Sequence, residues 1–185
     1  LNLLARMCGI ATTTARTVRA GAGTGVEILD TRKTTPGLRR LEKYAVACGG
    51  GTNHRIGLFD AVLIKDNHRI LFAGEFSFEE AIARARRTAP PGTPVELEVD
   101  TLEEFDRALV AGADTILLDN FTPEQAVEAV RRRAARPGPR VRLEASGGIR
   151  PDTVRAWAEA GVDAISLGWL THSAPAADLS MEFEP

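Results

Sequence analysis

The chain is short of several things, and each shortage removes a class of protein. Its 185 residues hold two cysteines, Cys8 and Cys48, too far apart for a metal or redox motif, so a pair of buried, reduced thiols is expected. The formal net charge is only −2, without the basic excess of a nucleic-acid-binding domain. No nucleic-acid partner is expected, and any affinity for anions must arise from local arrangement. No apolar run approaches the ~18 residues that span a bilayer, which argues against a membrane partner. The first ten residues include Asn2 and Arg6 and end on nothing like a cleavage site, so they do not read as a signal peptide and a cytoplasmic location is expected. With no initiator Met before Leu1, in the midst of a helical pattern, the chain reads as part of a longer protein.

What is present is an ordinary globular composition, 44% hydrophobic and 26% charged, sufficient for one domain with a sizeable core. Six short apolar runs, Val26–Asp30, Ala61–Lys65, Val95–Asp100, Thr115–Asp119, Val141–Ala145 and Ala164–Leu167, alternate with helix-like stretches. That alternation signals a parallel sheet covered by helices. Ser77–Glu80, Thr101–Glu104 and Thr122–Gln125 have capping-box spacing, and Pro123 and Pro151 sit where a helix opens. Gly49, Gly112 and Gly161 follow helical stretches where left-handed C-caps are expected. Ala111-Gly112-Ala113-Asp114 before one strand is echoed by Ala160-Gly161-Val162-Asp163 before another, as in stacked βα units. The predicted fold is an incomplete, open TIM-like α/β barrel of about six parallel strands with outer helices; a closed barrel would need eight strands. Residues 21–177 form the barrel domain, preceded by a helix over 1–20.

Ionisable residues gather at the strand ends: Asp30, Arg32 and Lys33 after the first, Lys65, Asp66 and His68 after the second, Glu98 and Asp100 on the third, Asp119 on the fourth. In α/β barrels those ends carry the chemistry. Glu96 is the exception, read as facing outward or pairing with a helix. Ser146-Gly147-Gly148-Ile149 and Gly168 follow the last two strands, where backbone N–H groups and a helix start at Pro151 would cradle phosphate. Gly49–Arg55 brings His54 and Arg55 towards the same mouth. Five candidate cations facing Glu98 and Asp119 suggest either Mg²⁺ bound with a polyphosphate or stabilisation of a cationic transition state.

The segments Thr31–Gly37, Gly49–Gly57, Ile64–His68, Leu117–Asn120, Glu144–Ile149 and Leu170–Pro175 closely resemble the quinolinate phosphoribosyltransferases, along essentially the whole chain. The resemblance implies transfer of phosphoribose from phosphoribosyl pyrophosphate to the nitrogen of quinolinate, with loss of pyrophosphate and CO₂, giving nicotinate mononucleotide for NAD synthesis. It implies that Arg32, His54, Arg55 and Lys65 hold the quinolinate carboxylates, with Lys33 near the shared centre. Glu98 and Asp119 would face the ribose and Mg²⁺, while Ser146, Gly147, Gly148, Gly168 and His172 bind the 5′-phosphate. It also implies an N-terminal α/β domain absent from this sequence, a tail over 178–185 that returns to that domain as a strand, and a homodimer or larger homo-oligomer in which the domain lends a basic residue to its partner. Trp169 departs from the small residue more usual beside the phosphate loop.

Overall fold

The computed structural model describes residues 1–65, 67, 68 and 77–183. The strands are β1 (Glu27–Leu29), β2 (Val62–Ile64), β3 (Val95–Val99), β4 (Thr115–Asp119), β5 (Arg142–Ser146) and β6 (Ala164–Ser166). The helices are α1 (Asn2–Ala20), α2 (Arg39–Cys48), α3 (Phe78–Thr88), α4 (Leu102–Ala111), α5 (Pro123–Ala135), α6 (Val154–Glu159) and α7 (Trp169–His172). All paired strands are parallel, in the order β1-β6-β5-β4-β3-β2. That order walks round a barrel and leaves one seam, between β1 and β2. At the seam Thr52 stands in for a missing strand: its N–H donates to Ile28 O at 2.8 Å and its O accepts from Asp30 N at 3.2 Å. The open six-stranded barrel expected from the sequence is the architecture observed.

Side chains alternate along a strand, and that parity decides what fills the barrel. On β3, Val95, Leu97 and Val99 are fully buried against the outer helices, while Glu96 and Glu98 share the opposite, inward face. Glu96 was expected to face outward or meet a helix; it is buried inside the barrel, because a residue two before inward Glu98 must share its face. On β5, inward Glu144 precedes inward Ser146 in the same way. The barrel interior is thus polar and the helix-facing layer apolar.

Capping follows the sequence closely. Ser77 with Glu80, and Thr122 with Gln125, form reciprocal boxes, whereas Glu104 turns aside to accept from Asp100 N–H. Gly112 and Gly161 have φ near +84° and +87°. Gly49 does not (φ −79°); the left-handed residue is Gly50. The repeated turn has a specific task. Asp114 accepts from Val95 N–H at 2.8 Å and donates its own N–H to Val95 O, and Asp163 does the same to Leu143. Each copy clamps the start of a neighbouring strand.

Two expectations are corrected here. Cys48, the last residue of α2, is exposed, and Cys8 on α1 is half-buried. Leu3 and Leu4 point outward, while Ile10, Thr14 and Thr17 are buried, each Thr hydroxyl bonding a carbonyl one turn back. Pro151 lies in a turn, and α6 begins only at Val154. Residues 178–183 carry no regular structure here; the strand implied for the tail would pair with a domain outside this sequence. Asp66, named among the strand-end charges, lies outside the described residues, as do the last two residues of the tail.

Candidate active site

The C-terminal strand ends open into a cleft of about 470 Å³. Twelve positions singled out in the sequence line it: Arg32, Lys33, His54, Arg55, Lys65, Glu98, Asp119, Ser146, Gly147, Gly148, Gly168 and His172. The register explains the convergence. Glu98 is level with Leu117 and Glu144 across three adjacent strands, and Asp119 is level with Ser146 one step nearer the mouth.

One wall is cationic. Arg55 has its pKa lowered by burial and then by the neighbouring Arg32 charge. Arg32 Nε is buried without a hydrogen-bond acceptor, a donor arrangement suited to a carboxylate. Lys65 Nζ reaches Glu98 Oε2 at 2.5 Å, the glutamate almost wholly buried and the lysine partly exposed. The opposite wall is the Ser146–Gly148 turn. Gly147 has φ +88°, and a Cβ there would collide with Asn120, so only glycine lets the turn fold back beside β4. At Gly168 a Cβ would meet the His172 ring and crowd Lys33; Thr171 Oγ1 secures that approach by donating to Lys33 O at 2.8 Å. Because Pro151 does not start a helix and α6 has six residues, the cradle depends on backbone N–H groups rather than on a helix dipole.

The seam segment carrying His54 and Arg55 is pinned from below. Lys43 of α2 donates to Asp30 Oδ1 at 2.5 Å and to His54 O at 2.8 Å, and Asp30 Oδ1 also accepts from His54 N–H at 2.8 Å. Asn53, with its amide NH₂ facing Asp30, donates to Oδ2 and to Lys43 O at 2.9 Å. Both ionic side chains are within 2% of full burial. Asp30, read from the sequence as a mouth charge, is instead part of this clamp.

His54 is similarly occupied. Its Nε2 lies 3.3 Å from Glu96 and 3.4 Å from Glu144, and its Nδ1 accepts from Arg55 N–H at 2.8 Å. Burial opposes a charge on the ring, but the hydrogen bonds and charges of Glu144 and Glu96 outweigh it and push His54 up to about 10. Burial, then the Glu144 charge, raises Glu96 as well. Both glutamates thus favour a proton on Nε2, which lies between them, while the Arg55 N–H occupies Nδ1. These three groups have the composition of a metal site, but a metal on Nε2 would move the ring proton to Nδ1, against the same N–H. With both nitrogens engaged, His54 supports Arg55 rather than offering a free nitrogen to the cleft. Sequence reading missed Glu144, Lys43 and Arg150 as site residues; parity with Ser146 was the available signal for Glu144.

An open α/β barrel with cationic side chains on one side of its mouth and a glycine turn on the other defines a barrel domain whose cleft presents hydrogen-bond donors and positive charge. The family model "Quinolinate phosphoribosyl transferase, C-terminal domain" matches residues 10–182, and the chain belongs to that family. It is 47% identical over 182 residues to a probable nicotinate-nucleotide pyrophosphorylase [carboxylating] of Bacillus subtilis (strain 168), covering 98% of this chain and 61% of that protein. With the Mycobacterium leprae (strain TN) nicotinate-nucleotide pyrophosphorylase [carboxylating] the identity is 49%, with 98% and 62% covered. Among solved structures, NadC from Streptococcus pyogenes superposes with a TM-score of 0.88 at 44% identity, covering 99% of this chain and 62% of that one. The chain therefore spans about three-fifths of the length of these relatives.

Proposed function

We propose that this domain carries the phosphoribosyl-transfer site of a quinolinate phosphoribosyltransferase, joining quinolinate and phosphoribosyl pyrophosphate to give nicotinate mononucleotide, pyrophosphate and CO₂ in NAD synthesis. The observation that carries the reading is the pairing of Arg32 and Arg55 in one cleft, with the Arg32 Nε donor unmatched by the protein, opposite a glycine cradle. A dicarboxylate satisfies the first wall and a 5′-phosphate the second. Arg32, Arg55 and Lys65 hold the two carboxylates, and His54 braces Arg55. Ser146, Gly147, Gly148, Gly168 and His172 hold the phosphate, with Lys33 between the substrates.

In this reading the ring nitrogen attacks C1 of the ribose as the C1–pyrophosphate bond breaks. Glu98 and Asp119, on adjacent strands, face the positive charge that develops on the sugar; oriented charges of this kind act chiefly in the transition state. The C2 carboxylate then leaves as CO₂, its electron pair remaining on the ring carbon until a proton is taken up. Glu98 and Asp119 are hard oxygen donors lining one cleft, a set that fits Mg²⁺ held by one or two carboxylates together with substrate phosphates. When bound, the ion would neutralise charge on the departing pyrophosphate.

The intact protein is a homodimer or larger homo-oligomer in this reading. The apolar groups exposed on α1, α2 and the seam loop, Leu3, Leu4, Leu41, Tyr44, Leu58 and Phe59, support it. A cytoplasmic location is likewise part of the proposal; among the described residues no helix is long and apolar enough to cross a membrane. The test is calorimetry with each substrate, followed by assay of nicotinate mononucleotide formation by the full-length protein. Phosphoribosyl pyrophosphate binding without quinolinate binding would refute the acceptor assignment.

A further inference from the structure

Arg150 stands two residues beyond Gly148, so its Cα lies within roughly 8 Å of the cradle. Its backbone is fixed: Arg150 N–H donates to Thr153 Oγ1 at 3.1 Å, and that hydroxyl donates back to Arg150 O at 3.0 Å. Its guanidinium lies over the Trp169 ring, 5.0 Å from the centroid, and both side chains line the cleft beside Gly147, Gly148 and Gly168. Trp169 follows Gly168 directly, so the indole is anchored by the cradle itself.

Arg150 Nε also approaches Asp152 Oδ1 at 3.4 Å, but both groups are more than half exposed, and such pairs contribute little. The indole is the better-defined partner, with the guanidinium carbon over its ring, a cation–π contact that uses none of the guanidinium hydrogen-bond donors. A tryptophan at the mouth would otherwise present an apolar wall to a phosphate. With the guanidinium across it, the wall becomes a cationic lip.

We propose that Arg150, held in place by Trp169, is a specificity-determining residue that closes over the 5′-phosphate of the phosphoribosyl substrate. The inference rests on the phosphoribosyl-transfer reading and deepens it. The backbone N–H groups of the cradle accept any small anion of suitable shape; a planar cation on one side adds a bidentate partner and favours a terminal phosphate over an uncharged ribose.

Isothermal titration of the full-length protein with phosphoribosyl pyrophosphate, ribose 5-phosphate and quinolinate tests it. Arg150→Gln should weaken both phosphate ligands about fivefold to tenfold, flatten the salt dependence of their binding, and leave quinolinate affinity unchanged. Arg150→Lys should recover part of the loss. Trp169→Ala should weaken the same ligands about twofold to fivefold, and the double variant should be no worse than Arg150→Gln alone. Unchanged phosphate affinity in Arg150→Gln overturns the proposal and leaves the phosphoribosyl reading intact. Equal losses for quinolinate overturn it too, since they mark damage to the cleft rather than a lost contact. A full-length wild-type protein that binds neither phosphate ligand sinks both readings.

Discussion

Replacing Lys43 by Met isolates what the buried clamp contributes. The methionine keeps the length of the side-chain stem but removes the ammonium that meets Asp30 at 2.5 Å and His54 O at 2.8 Å. Both ionic groups are essentially inaccessible to water, so the substitution strands a buried carboxylate. Breaking such a pair from one side costs about 3–5 kcal/mol, which for a domain of this size lowers Tm by roughly 6–20 °C. Asp30 is already raised by burial, against the lowering effect of Lys43; without Lys43 it rises further. A carboxyl whose folded pKa lies above its unfolded value loses stability as pH climbs from the unfolded value through the folded one. Wild type shares that loss up to its own raised Asp30 value, so the deficit of Lys43→Met should deepen only as pH climbs above that value, and should be smallest near pH 4. Thermal unfolding followed by circular dichroism across pH 4–8 measures this, with Asp30→Asn/Lys43→Met as the control. The double variant should recover much of the loss, because no uncompensated charge remains. A single variant within about 1 kcal/mol of wild type, or a double variant as poor as the two singles combined, would refute the clamp.

Other perturbations separate the parts of the site. Lys65→Ala in the full-length protein should weaken quinolinate binding roughly tenfold to hundredfold, since buried Glu98 loses its partner; Asp119→Asn should instead reduce kcat more than quinolinate affinity. Glu96→Gln imitates a protonated carboxyl in the His54 trio. Because Glu96 is raised in the fold, wild-type stability falls as pH rises above the unfolded glutamate value, so the variant should gain on wild type as pH increases in parallel melts. At Asp163 burial opposes ionisation, but Leu143 N–H, Arg133 and Arg140 outweigh it and hold the carboxyl low. Its contribution is present above the unfolded aspartate value and lost as pH falls through the folded one, so Asp163→Asn should cost stability at pH 7 and progressively less towards pH 3.

The fold was legible because its signals are local. Apolar runs, hydroxyl caps and the repeated Gly-x-Asp turn each report a short stretch of backbone, and the strands they delimit can close only as parallel βα units. The mouth was legible too, because strand-end charges and a double glycine need no knowledge of packing. What stayed hidden was the layer beneath. Glu96 and Lys43 look like solvent-facing charges until parity and helix face are combined with three-dimensional closure. Likewise, nothing local tells that both nitrogens of His54 are taken, by glutamates from two other strands and by the next residue's N–H. Arg150 and Trp169 are nineteen positions apart, and only the return of β6 beside β5 brings them together.

The seam between β1 and β2 divides the mouth into two mechanical halves. Arg32, Arg55 and Lys65 hang from the strand ends and the loop that flank the break, where Thr52 supplies only a single bridge. Glu98, Asp119 and the glycine turns rise from strands with neighbours on both sides. Backbone amides near Thr52 should thus exchange with solvent faster than those of β3–β5. The half proposed to hold the sugar phosphate is built as a fixed frame, whereas the half proposed to hold the aromatic acid can change loop length or residue without re-registering the sheet. An enzyme of this design can revise which acceptor it admits while leaving its donor site untouched.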